Sequence, residues 1–88
     1  MNPFVPIYLK LPPERIAFLT DIVESYEGIG VIRTLDPVNG EVVVLALTDT
    51  MAVVRQLVQA LNPELDARFI EPPESLAGDW LLAAVAED

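Results

Sequence analysis

The sequence contains neither cysteine nor histidine. Without cysteine the chain forms no disulfide, offers no thiolate nucleophile and cannot build a cysteine-based zinc site. Without histidine it lacks the usual neutral-pH general base and the commonest transition-metal ligand. We therefore predict no metal and no other cofactor. Catalysis is disfavoured, because an enzyme would have to work with carboxylates, Tyr8 or Lys10 alone.

Basic residues are also scarce, with five Lys and Arg against fourteen Asp and Glu, which gives a net charge of −9. A field of this sign repels phosphate backbones, so no nucleic-acid partner is predicted. The acidic residues are scattered along the chain rather than grouped in one run, and a scattered pattern is typical of a solvated surface.

Long hydrophobic segments are missing as well. The longest apolar runs, residues 42–47 and 80–86, fall far short of the ~20 residues that span a bilayer. Residues 1–6 show no basic region followed by an apolar one, so no signal peptide is visible. We expect a cytoplasmic protein with no membrane partner, in which residues 1–88 form a single domain.

The order of hydrophobic patterns predicts the fold. Period-two alternation or a continuous apolar run indicates strands, and apolar residues at helical spacing indicate helices. The predicted strands are residues 7–11, 31–35, 41–48 and 65–71, and the predicted helices are residues 13–27 and 50–61. This βαββαβ order is typical of an α+β, ferredoxin-like sandwich with strand order 4-1-3-2 and both helices on one face of an antiparallel sheet.

The pattern also predicts which residues are buried. Ile16, Leu19, Val23 and Tyr26 lie at helical spacing and form the expected core stripe of the first helix. Residues 42–47 have no polar face, and a strand that is apolar on both sides is expected to be buried on both sides. The intervening segment from Asp36 to Gly40 reads as a hairpin turn rather than a calcium loop, because Val38 occupies a ligand position.

We expect residues 74–88 to form a C-terminal helical extension to the core, which is predicted to span residues 6–71. Residues 80–86 are apolar around the whole circumference of a helix, and such a helix is expected to be buried. The open face of the sheet also needs a cover, since 52% of the residues are hydrophobic.

Two arrangements would bury this surplus of apolar surface. The terminal helix would fold back over its own sheet, or two chains would pack their open faces and terminal helices together around a twofold axis. We predict the homodimer, because a helix that is apolar on every side needs more than one neighbour. The predicted interface residues are Val42, Val44, Trp80, Leu81, Leu82 and Val85.

The few basic residues suggest one candidate ligand site. Strand alternation places Lys10 and Arg68 on the open face of neighbouring strands, beside Tyr8, and Arg33 joins them if Ile32 points into the core. Together these side chains would bind a small anion. The alternative is that each cation pairs with a local carboxylate at the edge of the sheet.

Three stretches carry a resemblance to known proteins: Pro-Pro-Glu-Arg-Ile-Ala-Phe-Leu at residues 12–19, Ser-Tyr-Glu-Gly-Ile-Gly at 25–30 and Arg-Thr-Leu-Asp-Pro-Val-Asn-Gly at 33–40. They resemble a family of small bacterial domains of unknown function. The βαββαβ pattern and the Gly-containing entry to the second strand resemble the ACT-like regulatory domains. That resemblance implies a ligand site at a dimer interface near residues 11–14, although the acidic-then-glycine pattern of such sites is absent here.

From these observations we expect a non-catalytic, homodimeric binding or regulatory module whose ligand is a small anionic metabolite. The alternative is an interaction subunit that docks another chain through its apolar sheet face and C-terminal helix. A metabolite-binding module would be stabilised by its ligand, whereas an interaction subunit would co-purify with its partner.

Overall fold

A computed structural model describes residues 4–72 of the chain, which form a four-stranded antiparallel sheet and two α-helices. The strands lie in the order β2-β3-β1-β4. The elements in chain order are β1 (Phe4–Lys10), a 3₁₀ helix (Pro13–Arg15), α1 (Ile16–Ser25), β2 (Gly30–Asp36), β3 (Glu41–Leu47), α2 (Met51–Leu61) and β4 (Arg68–Phe69). This confirms the predicted α+β fold and strand order, whereas the predicted C-terminal helix over 74–88 lies outside the described residues.

The centre of the sheet is the β1–β3 pair. Seven residue pairs join the two strands, from Phe4 opposite Leu47 to Lys10 opposite Glu41. The five residues from Val42 to Ala46 are all buried, which confirms that β3 has no solvated face. The continuous apolar run therefore indicates a central strand, which pairs with a strand on each edge and whose side chains are buried on both faces of the sheet.

Both helices pack on one face of the sheet, because they present their apolar stripes to it. Their fully buried residues are Leu19 and Val23 of α1 and Val54 and Val58 of α2. These residues share one core with side chains of alternate strand positions, namely Ile7, Leu9, Val42, Val44 and Ala46. The result is the helix-covered face, and the opposite side of the sheet is the open face.

The first helix is shorter than the periodicity predicted. Residues 13–15 form a 3₁₀ turn, and the α-helix ends at Ser25 instead of continuing to residue 27. Tyr26 has φ −98° and ψ 89°, so its side chain no longer follows the helical spacing. As a result Tyr26 is half exposed and does not belong to the core, contrary to the prediction.

The fourth strand is also shorter than predicted. Only Arg68 and Phe69 pair with β1, although the Ile70 amide still donates a 3.0 Å hydrogen bond to the Tyr8 carbonyl. The strand cannot begin at residue 65, because Asp66 has a φ of +55° and interrupts the extended conformation. Phe69 lies opposite Leu9 on the helix-covered side, at the edge of the sheet. The guanidinium carbon of Arg55 lies 5.4 Å from the centroid of the Phe69 ring. Phe69 nevertheless stays partly exposed.

No helix within residues 4–72 is long and apolar enough to cross a membrane.

Candidate functional site

The open face combines an apolar centre with cations near its rim. Residues in register share a face of the sheet, so the pairing assigns each open-face position. These positions are Phe4, Pro6, Tyr8 and Lys10 of β1, Val31 and Arg33 of β2, Glu41, Val43, Leu45 and Leu47 of β3, and Arg68 of β4. Three of the five basic residues of the chain therefore lie on this face.

A second apolar cluster occupies the centre of the open face. Its members are Tyr8, Val43 and Leu45, which are 7%, 0% and 1% exposed. Burial raises the pKa of the Tyr8 phenol above its usual value of 10.0, so this side chain is a neutral phenol at physiological pH. Partly buried side chains of Phe4, Leu35 and Ile70 pack around the cluster.

This cluster corrects the interface that the sequence predicted for β3. Val42 and Val44 lie on the helix-covered face, in contact with the core that the two helices form, and they are not available to a partner chain. The residues of β3 that lie on the open face are Val43 and Leu45 instead. The other predicted interface residues (Trp80, Leu81, Leu82 and Val85) lie outside the described residues.

A cavity of about 340 Å³ lies at the end of the sheet where β1 leaves for the first helix. Three separate chain segments meet there: the end of β1 with the loop that follows it, the β2–β3 turn, and the entry to β4. The lining residues are Lys10, Leu11, Pro12, Pro13, Asn39, Asp66 and Arg68. We call this space the basic cavity, since two cations and one carboxylate line it.

Lys10 and Arg68 are directly opposite each other in the β1–β4 register, and both line the basic cavity. Glu41 is the register partner of Lys10 on its other side. Within residues 4–72, however, no carboxylate oxygen lies within 4.0 Å of either cation. Because like charges directly opposite each other on neighbouring strands are destabilising, an anion between them would relieve the repulsion.

The other two predicted ligand residues lie elsewhere on the open face. Tyr8 belongs to the buried central cluster and does not line the basic cavity. Arg33 is paired with Val43 on β2, separated from β1 by the whole of β3, and it is likewise not among the lining residues. The structure thus brings together Lys10 and Arg68, but not all four residues.

The β2–β3 turn supplies one wall of the basic cavity. The Asp36 carboxylate accepts hydrogen bonds of 3.0 Å from the amides of Val38 and Asn39 and one of 2.7 Å from the Asn39 side chain. These bonds, led by that from the Asn39 amide, lower the pKa of Asp36. They confirm the hairpin turn, because the carboxylate that a calcium loop would offer to the metal is engaged by the turn itself.

Gly40 closes this turn against the loop after β1. Its φ is +75°, and its carbonyl accepts a 2.9 Å hydrogen bond from the Leu11 amide. A Cβ atom at this position would collide with the Leu11 carbonyl oxygen. Only glycine therefore allows the turn to approach the β1 loop closely enough to form the cavity wall.

A second turn presents Asp66 and Arg68. The Asn62 side chain accepts a 3.0 Å hydrogen bond from the Ala67 amide and donates a 2.9 Å bond to the Ala67 carbonyl. The Asp66 amide donates a 3.0 Å bond to the Pro63 carbonyl, which helps to hold Asp66 in its left-handed conformation. Asn62 thus fixes the residue that lies between the two charged groups of the cavity.

Sequence reasoning missed five lining residues: Leu11, Pro12, Pro13, Asn39 and Asp66. A signal was present for Leu11 and the two prolines, because the ACT-like resemblance points to the loop at residues 11–14. No local pattern marks Asn39 or Asp66 as site residues, because their turns reach the cavity only through the tertiary fold.

The opposite end of the open face has a different character. A cavity of about 290 Å³ there is lined by Phe4, Gly28, Gly30, Val31, Leu45 and Leu47, none of which carries a charge. Val31 is 54% exposed and Leu47 is 37% exposed, so apolar surface remains in contact with solvent at this end.

Across residues 4–72, no group of three or more acidic, histidine or cysteine side chains is arranged to hold a metal ion.

The chain is thus an α+β protein with a small cavity at one end of its sheet. We compared it with known protein families, curated proteins and solved structures. The family model DUF4911, a domain of unknown function, matches residues 9–64, which is more than half of the chain. The chain belongs to this family, which confirms the resemblance to a family of unknown function. No curated protein and no solved structure matched the chain.

Proposed function

We propose that this protein is a non-catalytic regulatory module that binds a small anion, a carboxylate or a phosphate ester, in the basic cavity. The observation that carries the proposal is the Lys10–Arg68 pair: two cations in direct register that line one cavity, with no carboxylate oxygen of residues 4–72 within 4.0 Å of either. Two cations held close together, with Asp66 as the one carboxylate in the cavity lining, favour an anion with two or more oxygens.

The charge of the whole chain makes this placement informative. Acidic residues outnumber basic ones by fourteen to five in the whole chain, yet the basic cavity is lined by two cations and one carboxylate. Arg68 offers a planar fork of donors that fits a carboxylate or a phosphate, and Lys10 adds a point charge. The Asn39 side chain, which its 2.7 Å hydrogen bond to Asp36 holds in place, adds a neutral polar group to the cavity lining.

Cavity size restricts the ligand to small molecules. A volume of about 340 Å³ is at the lower end of the range of roughly 300–1,000 Å³ for small-molecule sites. Leu11, Pro12 and Pro13 give one side an apolar wall, which favours a metabolite with a short carbon skeleton. The lining residues provide cations, one carboxylate and one amide, which supports binding rather than a reaction that needs a nucleophile and its base.

This proposal does not depend on the homodimer or on the ACT-like kinship that the sequence suggested. The seven lining residues that support it all belong to one chain. The homodimer, the terminal helix and the cytoplasmic location stay predictions. A regulatory module of this kind would report the level of its ligand through a change in stability or association.

Ligand-dependent unfolding tests the proposal. Thermal unfolding is measured with increasing inorganic phosphate and, separately, increasing citrate, with ionic strength held constant by sodium chloride. At ten times the dissociation constant, binding stabilises the native chain by about 1.4 kcal/mol, which raises the Tm by roughly 6–11 °C. The Lys10→Met and Arg68→Met variants should each lose most of this shift.

Arg33→Met is the matched control, because it removes the same charge from the same face at a position that does not line the cavity. It should keep the full ligand-dependent shift whatever its own stability. Equal losses in all three variants would mean that the anions act through the general charge of the chain. No shift in the unchanged protein with either anion would contradict the proposal.

The apolar end of the open face supports a second candidate function, the docking of another protein. Val31 and Leu47 are exposed beside a cavity without charged residues. Replacing Val31 by Asp would abolish capture of a partner by the tagged chain but leave anion-dependent stabilisation unchanged. The two candidates therefore give opposite results with the same pair of variants, Val31→Asp and Arg68→Met.

A further inference from the structure

The fourth strand has the fewest paired residues of the four strands within residues 4–72. Arg68 and Phe69 pair with β1, and the Ile70 amide adds one 3.0 Å hydrogen bond to the Tyr8 carbonyl. By contrast, seven residue pairs join β1 to β3. An edge strand with so few backbone bonds is expected to open locally, at a much lower free energy than the unfolding of the whole chain.

The turn before β4 is anchored independently of that pairing. The Asn62 side chain makes two hydrogen bonds to the backbone of Ala67, of 2.9 and 3.0 Å. The side chains of Leu65 and Ala67 are buried in the core under the helices. Local opening of the edge strand would therefore move residues 68–70 away from β1 and leave the turn before them in place.

The basic cavity depends on this pairing. Lys10 lines it from β1 and Arg68 lines it from β4, and the two are register partners. If residues 68–70 left β1, the cavity would lose one of its two cations. An anion that contacts both cations binds the paired strand more tightly than the open strand, and such a difference in affinity shifts the equilibrium between two conformations.

We propose that a bound anion closes β4 onto β1, so that occupancy of the basic cavity controls how firmly the edge strand is held. This inference rests on the anion site proposed above and adds a consequence that binding alone does not require. Without an anion, Lys10 and Arg68 place two positive charges opposite each other, which weakens the pairing of their strands. With an anion between them, charge-assisted hydrogen bonds to both cations connect the two strands.

The closure extends beyond the cavity through Ile70, which follows β4 directly. Its side chain packs against the central cluster of Tyr8, Val43 and Leu45 on the open face. Opening of residues 68–70 withdraws Ile70 from this cluster, and anion binding returns it. The anion therefore changes the surface of the open face at a distance from its own contacts, which is the change that a regulatory module requires.

Amide hydrogen exchange in the full chain tests the closure. Titration calorimetry first gives the dissociation constant of inorganic phosphate, and NMR then measures the exchange rate of the Ile70 amide without phosphate and at ten times that constant, at equal ionic strength. Because the anion suppresses opening by mass action, exchange at Ile70 should slow about tenfold. The Thr50 amide, bonded to the Leu47 carbonyl at the opposite end of the sheet, is the internal control and should keep its rate.

Two variants connect the slower exchange to the cation pair. Lys10→Met leaves β4 unchanged and removes one of the two charges that the anion bridges, so phosphate at the same concentration should no longer slow exchange at Ile70. Arg33→Met is the matched control, because it removes the same charge from the open face at a position outside the cavity lining. It should retain the tenfold slowing. Equal loss of the slowing in both variants would assign it to the general charge of the chain and overturn the inference.

Failure of the closure can be told apart from failure of the anion site. Phosphate binding in the calorimeter with an unchanged rate at Ile70 would show that the anion binds without closing the strand, and the proposed function would stand alone. Equal exchange rates without phosphate at Ile70 and at Val44, in the centre of the sheet, would show that β4 opens only when the whole chain unfolds. No binding heat and no thermal shift would remove the anion site, and the closure with it.

Discussion

The two faces of the sheet bury their centres equally but surround them differently. On the helix-covered face, Leu9 is 0% exposed and lies in a continuous core of aliphatic side chains from the strands and both helices. On the open face, Leu45 is 1% exposed in a cluster that has three buried members within residues 4–72, with Lys10, Arg33 and Arg68 around it. The two leucines are therefore equally buried, but the residues around them are aliphatic on one face and include three cations on the other.

This difference assigns different roles to the two faces. The helix-covered face has no charged residue in its core, and its contribution is stability. The open face holds three of the five cations, the basic cavity at one end and an apolar cavity at the other. The ligand site that we propose therefore lies on the open face, while the helices pack behind it.

A matched pair of leucine truncations gives the largest expected effect. Leu9→Ala and Leu45→Ala delete the same atoms from opposite faces of the same sheet, and each should lower the free energy of unfolding by about 3 kcal/mol, because both side chains are fully buried. Urea unfolding of the full chain measures both. If the Leu45→Ala variant loses less than about 1 kcal/mol, then water reaches the open face and the two faces are not equally covered.

A pair of glycine substitutions tests the wall of the basic cavity. Gly40→Ala should destabilise the chain by about 3 kcal/mol, because the new methyl group meets the Leu11 carbonyl oxygen in addition to the strain of a positive φ. Gly28→Ala isolates the strain, since φ is +86° there but no atom lies within 4 Å of the added Cβ, and about 1 kcal/mol is expected. Equal losses in urea unfolding would show that the close approach at Gly40 is unimportant.

The sheet was largely predictable from the sequence, and the reasons are local. Alternation in residues 7–11 and the turn residues from Asp36 to Gly40 specify strand positions, and the βαββαβ order specifies their neighbours. The Lys10–Arg68 pair follows from this order together with the alternation predicted for residues 65–71. Helix ends were less predictable, because Tyr26 continues the apolar spacing of α1 although the backbone has already left the helix.

The sequence could not predict which residues of β3 lie on which face of the sheet. Alternation assigns faces only when one face is polar, and residues 42–47 are apolar throughout. The choice between Val42 and Val43 for the open face therefore had no signal in the strand itself, and the register with Tyr8 decides it. The basic cavity shares this limit, because Asn39 and Asp66 reach it from two distant turns.

Alkaline pH provides a smaller test of the buried centre of the open face. Burial raises the pKa of Tyr8 above 10.0, so the phenol keeps its proton in the folded chain at pH values where the unfolded chain has lost it. Stability is thus fully present below pH 10 and falls as the pH rises through the raised pKa of the folded chain. Tyr8→Phe should remove this fall in urea unfolding, whereas Tyr26→Phe, at a half-exposed position, should retain it. An identical alkaline decline in both variants would contradict a buried phenol.

The smallest effect concerns the one carboxylate in the basic cavity. Asp66→Asn keeps a side chain that tolerates the left-handed backbone and removes the negative charge beside Lys10 and Arg68. Phosphate should then bind about 2- to 5-fold more tightly, since an exposed charge at this range contributes up to about 1 kcal/mol. Titration calorimetry at low ionic strength measures the change, and Glu64→Gln in the same turn, outside the cavity lining, is the control for charge alone. An equal gain in both variants would assign the effect to the net charge of the chain, and a gain in the Asp66→Asn variant alone would place the anion beside Lys10 and Arg68.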